Sequence, residues 1–122
     1  MSSDASTSTT STDCLFCRIV GGKIPAEVVA ESEHSLAFRD LNPQAPTHVL
    51  VVPRRHEPDA ASLAAATADE LADCYALVRR VAEQEGLDGY RTVTNTGASA
   101  QQSVFHCHFH VLGGREMTWP PC

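Results

Sequence analysis

Residues 105–112 read FHCHFHVL, and this stretch near the end of the chain decides which fold the sequence can adopt. Histidine occupies every second position, at His106, His108 and His110, and apolar or thiol side chains stand between them. Successive side chains of a β-strand point to opposite faces of a sheet. The alternation therefore predicts a strand at 105–112 that presents three imidazoles on one face and buries the intervening side chains.

The spacing of the three imidazoles gives them unequal access to a ligand. Alternate strand positions lie about 6.5–7 Å apart, so the backbones of the outer two are separated by roughly 13 Å. All three cannot contact one phosphorus atom equally, and His108 in the middle is best placed to attack it. Core packing alone does not explain three histidines in an apolar strand, because each buried ring would need its own hydrogen-bond partners.

A metal-dependent hydrolase is the alternative interpretation of the cluster, because His-x-His also begins some zinc hydrolase sites. Such sites need further carboxylate or His ligands, and no Asp follows the cluster closely.

The rest of the chain predicts partners for this strand and one long helix. Thr67 with Glu70 forms a capping-box pattern, and Gly86 stands where a helix C-terminal cap belongs. The apolar stripe of this helix comprises Leu71, Cys74, Tyr75, Val78, Val81 and Ala82. Short apolar runs bounded by turn residues predict further strands at 28–31, 36–40, 48–53 and 91–95. We expect an α+β fold, an antiparallel meander sheet of about five strands with one long helix and a short N-terminal helix.

Composition limits the organisation of the chain and the kind of ligand it binds. Residues 1–13 are almost all Ser, Thr, Asp and Ala, which predicts a disordered tail before one domain at 14–122. The net charge of -6 with scattered basic residues argues against a nucleic-acid duplex as partner, although a small anion can still bind locally. Without a signal peptide or membrane span, five cysteines indicate thiols that are reduced, metal-bound or buried rather than paired in disulfides, and predict a cytoplasmic location.

A polar loop of small residues at 95–103 (NTGASAQQS) leads directly into the His cluster. Such a loop can direct backbone N–H groups and the Ser103 hydroxyl at phosphate oxygens. A loop of this composition is more often a solvated turn, and its position beside the cluster is what favours a phosphate site.

Three segments together resemble the histidine-triad (HIT) family. Residues 102–112 (QSVFHCHFHVL) look like its signature of alternating His and apolar residues, and 43–48 (PQAPTH) resembles the segment before its third strand. The ending 113–121 (GGREMTWPP) is similar to the tail of the branch called histidine-triad nucleotide-binding proteins. The likeness covers nearly everything from Cys14 to Cys122.

The resemblance implies a purine nucleoside phosphoramidase of the adenosine 5'-monophosphoramidase type. His108 would be the nucleophile that becomes nucleotidylated, and His48 would support it by hydrogen bonding and proton movement. The residues expected to hold the phosphate are Asn95, Gln102, Ser103 and His110. Asp40 would bind the ribose hydroxyls, and the base would contact an apolar set together with the C-terminal tail: Leu15, Phe16, Ile19, Phe38, Leu41 and Trp119.

Two other functions remain open. One is a dinucleoside polyphosphate hydrolase on the same fold, and the other is a nucleotide-binding scaffold with vestigial catalysis. The resemblance also implies a homodimer, with the long helix and a strand edge at its interface.

The resemblance further implies a structural zinc site with four ligands, Cys14, Cys17, His56 and His106. The pattern Cys14-x-x-Cys17 supplies half of a tetrahedral site, and the alternative is a pair of free thiols on a short helix. Some relatives lack both cysteines, so the chemistry would not require the metal. Two positions depart from the family. Gln101 stands where Gly is frequent, and Arg39 stands where His is frequent.

Overall fold

The alternating strands form one antiparallel sheet in the computed structural model, which describes residues 14–122. The strands are β1 (Val28–Glu31), β2 (Ser35–Arg39), β3 (Thr47–Pro53), β4 (Tyr90–Val93) and β5 (Phe109–Gly113). Their order across the sheet is β1-β2-β3-β5-β4, so β3 is central and β1 and β4 are the edges. The helices are α1 (Leu15–Val20), α2 (Ala60–Ala66) and α3 (Ala68–Gln84). The predicted α+β class is confirmed, and the predicted tail at 1–13 lies outside the described residues.

The two faces of the sheet have separate apolar clusters. On one face Val49 and Val51 of β3 pack with α3 residues such as Leu77. On the other face Leu50 and Val52 pack with Phe16 of α1. Alternation along the strand thus sends odd-numbered β3 side chains to α3 and even-numbered ones, beginning with His48, to the opposite face.

The His strand is shorter than predicted, because β5 begins at Phe109 rather than at residue 105. Val51 pairs with Phe109, so Cys107 would lie opposite Pro53, which has no N–H to donate to the ladder. The Cys107 N–H instead donates to Glu57 O at 2.7 Å. The alternation of side chains continues through this irregular segment, since Cys107 joins the core on the α3 side.

The long helix has the predicted ends. Thr67 is the N-cap of α3, and its hydroxyl accepts from Glu70 N at 3.4 Å. Only this half of the capping box forms, because the Thr67 N–H already donates to Leu63 O at 2.8 Å. Gly86, with φ of 67°, follows the C-terminal end. Tyr75 was predicted in the apolar stripe and is 47% exposed.

The helix α2 was not predicted. Asp59 caps it by accepting from Ser62 N at 2.8 Å, and Leu63 is its one buried residue. A seven-residue segment rich in alanine carries too few large apolar side chains to show a helical stripe. Within residues 14–122, no helix is long and apolar enough to cross a membrane.

Candidate active site and metal centre

A cavity of about 280 Å³ lies on the face of the sheet opposite α3. One end is apolar, and the other end contains His108, His110, Asp40 and Ser103. Most residues predicted to bind the nucleotide line it, including Leu15, Phe16, Ile19, Phe38 and Leu41. Sequence reasoning did not identify the further lining residues Ile24, Pro25, Ala26, Leu50 and Val104. An apolar compartment with a few polar groups at one end is typical of a small-molecule site.

His108 is held in a single tautomer at the polar end of this cavity. Its Nδ1 lies 2.8 Å from His106 O, and a carbonyl oxygen can only accept, so Nδ1 carries the hydrogen. The Nε2 atom of the neutral ring therefore has its lone pair available for attack. The Phe16 ring packs edge-on against the His108 ring at 5.0 Å, and the Thr94 hydroxyl donates to His108 O at 2.8 Å.

His48 and His110 form a hydrogen-bonded pair beside His108. The backbone N–H of Gln44 donates to His48 Nδ1 at 3.0 Å, so the neutral His48 ring carries its hydrogen on Nε2. That Nε2–H lies 2.9 Å from His110 Nδ1 and donates to it. The hydrogen of His110 is then on Nε2, where it is a donor for an anionic ligand.

Burial keeps this pair neutral. Desolvation lowers the pKa of His48, although the nearby Asp40 carboxylate opposes the change. Desolvation, together with the neighbouring His108 and His48, lowers the pKa of His110 to about 4. Both rings are therefore uncharged at neutral pH, as a nucleophilic imidazole site requires.

Asp40 lies just beyond the end of β2 and is held from two sides. Its Oδ1 accepts from Asn42 N at 2.7 Å, and its Oδ2 lies 3.5 Å from His48 Nε2. Asp40, His48 and His110 are close enough together to suggest a metal site. The hydrogen that Gln44 imposes on His48 Nε2 argues against one, because a metal needs the lone pair of that nitrogen.

The four predicted zinc ligands, Cys14, Cys17, His56 and His106, come together in one cluster. Their ligand atoms all lie within 4.8 Å of one another. His106 Nδ1 lies 3.4 Å from Cys14 Sγ, 3.5 Å from Cys17 Sγ and 3.3 Å from His56 Nδ1. Two thiols and two imidazoles at such separations suit a tetrahedral zinc ion.

The tautomer of His106 also fits a metal ligand. Its Nε2 lies 2.8 Å from Pro53 O and must donate to it, which leaves the Nδ1 lone pair facing the two thiols. Burial lowers the pKa of His106 to about 4, so the ring is neutral. Desolvation also lowers the pKa of His56.

Three predicted nucleotide contacts lie away from the cavity lining. Gln102 is buried, and its amide stabilises the loop: Oε1 accepts from Gly97 N at 2.8 Å, and Nε2 donates to Pro58 O and Val104 O. A phosphate contact by this side chain would require it to exchange partners. Asn95 and Trp119 do not line the cavity, and Trp119 packs under the Arg91 guanidinium at 5.9 Å.

Arg39 lines the cavity next to Asp40, and its guanidinium is bound to Glu85 at 2.9 and 3.0 Å and lies 3.3 Å from Glu27. Sequence reasoning missed both this pair and the Gln44 N–H that orients His48. A backbone donor leaves no signal in a residue pattern.

Both a family model and individual relatives match most of this chain. The model of the HIT domain family matches residues 21–117. An uncharacterised HIT-like protein of Synechococcus elongatus is 47% identical over 115 residues, which cover 91% of this chain and 98% of that protein. The 14 kDa zinc-binding protein of Zea mays is 48% identical over 113 residues, covering 88% of this chain and 86% of that protein.

Solved structures agree with the sequence comparisons. A HIT family hydrolase from Legionella pneumophila has a TM-score of 0.85 and 46% identity, covering 90% of this chain and 100% of that one. A histidine triad nucleotide-binding protein from Candida albicans has a TM-score of 0.77 and 30% identity, covering 88% of this chain and 83% of that one.

Proposed function

This chain belongs to the HIT family, and from that premise we propose that it hydrolyses purine nucleoside 5'-phosphoramidates through a nucleotidyl-His108 intermediate. The observation that carries the proposal is the fixed tautomer of His108, whose Nδ1–H donates to His106 O and leaves Nε2 as the nucleophile. The ring lies at the polar end of an apolar cavity, where a phosphate can meet it while a base fills the apolar end.

The reaction takes two displacement steps. His108 Nε2 attacks the α-phosphorus and the P–N bond breaks; the leaving amine takes the electron pair of that bond and gains one proton. Water then attacks the phosphorus of the intermediate and releases one proton, while the bond from phosphorus to His108 Nε2 breaks and its electron pair returns to the ring. The nucleoside monophosphate is freed, and the cluster ends unchanged. The His48–His110 pair supports both steps because it presents a neutral N–H donor to the phosphate oxygens.

The positions of the residues around the cavity suggest which of them would contact the ribose, the phosphate and the base. Asp40, at the rim of the cavity, would bind the ribose hydroxyls. Ser103 and His110, with Asn95 and Gln102 after rearrangement, would bind the phosphate. The apolar lining carries the base.

We also propose a structural zinc ion on Cys14, Cys17, His56 and His106. The donor set and the Pro53 carbonyl behind His106 support it, as does the zinc-binding relative from Zea mays. A closed site of four protein ligands cross-links α1 to the segments before α2 and β5 and has no position for substrate.

The test of the function is replacement of the nucleophile. His108→Ala should lower kcat on adenosine 5'-phosphoramidate on the order of a thousand-fold or more, while AMP affinity stays within roughly a few fold. The matched control is His34→Ala, which removes a half-exposed imidazole outside the cavity and should leave both values unchanged. Turnover by His108→Ala near that of the parent would contradict the mechanism.

A second assay distinguishes the alternative functions. Diadenosine polyphosphate hydrolysed faster than the phosphoramidate would indicate a dinucleoside polyphosphate hydrolase. Tight AMP binding with no turnover of either substrate would indicate a nucleotide-binding scaffold.

A further inference from the structure

Glu85 is the C-cap residue of α3 and contacts the end of β2 and the start of β3. Its carboxylate accepts from Arg39 Nη1 at 2.9 Å and from Arg39 Nη2 at 3.0 Å, which is a bidentate pair. Its Oε1 also lies 3.4 Å from the Thr47 hydroxyl. The Glu85 side chain is 18% exposed, so water screens this arrangement less than it screens most surface ion pairs.

The two residues that Glu85 holds are the chain neighbours of Asp40, which lines the cavity, and of His48, which contacts Asp40 and His110. Arg39 is the last residue of β2 and precedes Asp40, while Thr47 is the first residue of β3 and precedes His48. Because successive side chains of extended chain alternate, the side chains of Arg39 and Thr47 reach Glu85 of α3, while those of Asp40 and His48 point to the opposite face of the sheet.

The end of β2 is the less supported of these two strand ends. The β2–β3 ladder stops at the pair Arg39 and Val49, and the Asp40 N–H to His48 O hydrogen bond, at 3.0 Å, continues beyond it. Thr47 and His48 of β3 remain paired with β5, whereas residues 41–44, which follow β2, are exposed. The 3.5 Å distance from Asp40 Oδ2 to His48 Nε2 therefore depends on how the end of β2 is held against β3.

We propose that Glu85 is a positioning residue for nucleotide binding. It holds Arg39 and Thr47 on the α3 side of the sheet and so fixes the position of Asp40 relative to His48 on the opposite side. This inference rests on the proposed nucleotide site, in which Asp40 binds the ribose hydroxyls. It assigns a role to the guanidinium of Arg39, which stands where the family often has His. Loss of Glu85 should therefore weaken nucleotide binding through the contact between Asp40 and the ribose hydroxyls.

The experiment compares two substrates that differ only in the ribose hydroxyls. Glu85→Ala should raise KM for adenosine 5'-phosphoramidate about ten-fold, the loss expected for one misplaced hydrogen bond to a carboxylate. The KM for the 2',3'-dideoxy analogue should not change, and kcat should change little on either substrate. Glu83→Ala, which removes an exposed carboxylate one turn from Arg79 on α3, is the matched control and should leave both KM values unchanged.

Two further variants separate positioning from general damage to the fold. Glu85→Gln keeps an acceptor for Arg39 and Thr47, so its KM should be intermediate. Arg39→Met should raise KM as Glu85→Ala does. The rise in the double variant should fall well short of the product of the two single rises, because both variants remove the Arg39–Glu85 pair, although Arg39 also pairs with Glu27 and Glu85 also contacts Thr47. Thermal melts of every variant establish that the measured protein is folded.

The outcomes are distinct. An equal rise of KM on both substrates, or no rise on the ribose substrate, would overturn the proposal. If the parent hydrolyses neither substrate, the proposed function fails, and calorimetric affinities for AMP and 2',3'-dideoxy-AMP make the same comparison. A loss of AMP affinity in Glu85→Ala without a loss of dideoxy-AMP affinity would then still support the role of Glu85.

Discussion

Gln101 has a left-handed backbone conformation, with φ of 71° and ψ of 26°. A side chain in this region costs roughly 1–2 kcal/mol relative to glycine, partly offset because glycine gains more freedom in the unfolded chain. Gln101→Gly should therefore raise the free energy of unfolding by up to about 1 kcal/mol. Denaturant titration measures the change, and Gln101→Ala, which keeps the Cβ, should match the parent. A destabilised Gln101→Gly would show that the Gln side chain contributes contacts that outweigh the strain.

The depressed pKa of His110 predicts how stability depends on pH. Its folded pKa of about 4 lies below the value near 6.5 expected for an unfolded chain, so the unfolded state binds more protons between these values. The contribution of His110 is complete above pH 6.5 and is lost as pH falls toward 4.

Thermal melts between pH 7 and pH 5 measure this loss, in a window above the titration of most carboxylates. His110→Asn should melt with a smaller pH dependence than the parent, and His34→Asn should follow the parent. Parallel curves for His110→Asn and the parent would contradict the assignment.

The side chains proposed to act chemically were predictable at the residue scale, and their hydrogen-bond partners were not. The period of two indicated His106, His108 and His110, of which His108 and His110 line the cavity while His106 lies in the Cys/His cluster. The atoms that fix the tautomers are Gln44 N, His106 O and Pro53 O, all in the backbone. Their positions depend on how strands end and loops pack, which no pattern of side chains encodes.

Strongly periodic elements were predicted well, while short elements depended on tertiary contacts. The helix α3 has the predicted caps, and β1 has the predicted bounds. The start of β5 depends on where Pro53 falls in the opposite strand, which requires the register of the sheet. The helix α2 depends on one cap at Asp59 and one buried leucine.

The short helix α1 gives a prediction at the scale of an element. Six residues are too few for a stable helix alone, and Cys14 and Cys17 at its start belong to the proposed zinc site. Structural zinc contributes on the order of 10 kcal/mol in small peptides, which is comparable to the whole stability of a domain. Cys14→Ser or Cys17→Ser should therefore lose zinc and melt much earlier, yet keep most of the rate per folded molecule.

Elemental analysis, thermal melts and rates normalised to the folded fraction test this prediction together. Cys122→Ser removes an exposed thiol outside the cluster and should keep both zinc and melting temperature. Activity strictly proportional to bound zinc would instead support a metal-dependent hydrolase.

At the scale of the whole molecule, the two edges of the sheet differ in how they are protected. Arg80 and Gln84 of α3 donate to the carbonyls of Glu31 and Val29, so side chains cover part of the β1 edge. Within residues 14–122, no comparable side-chain bond covers the β4 backbone. An open edge presents unpaired N–H and C=O groups that a second copy of the chain can satisfy.

The surface beside β4 supports a homodimer through this edge. Tyr75 of α3 packs against Phe109 of β5, the neighbour of β4, and yet is 47% exposed. Tyr90 of β4 is 43% exposed. A two-fold interface would cover both rings, and aromatic side chains are enriched in such interfaces.

We therefore expect the 13.1 kDa chain to sediment as a dimer at micromolar concentration. Tyr75→Glu should shift the protein toward monomer, because it would place a charge in the apolar part of the interface. Gln84→Glu adds the same charge to α3 on the side facing β1 and should leave the dimer intact. Equal dissociation in both variants would point to an effect of charge alone, and a parent that sediments as a stable monomer would rule out the dimer. If the dimer forms through β4, the two five-stranded sheets join edge to edge, and each cavity lies on the face opposite its own α3.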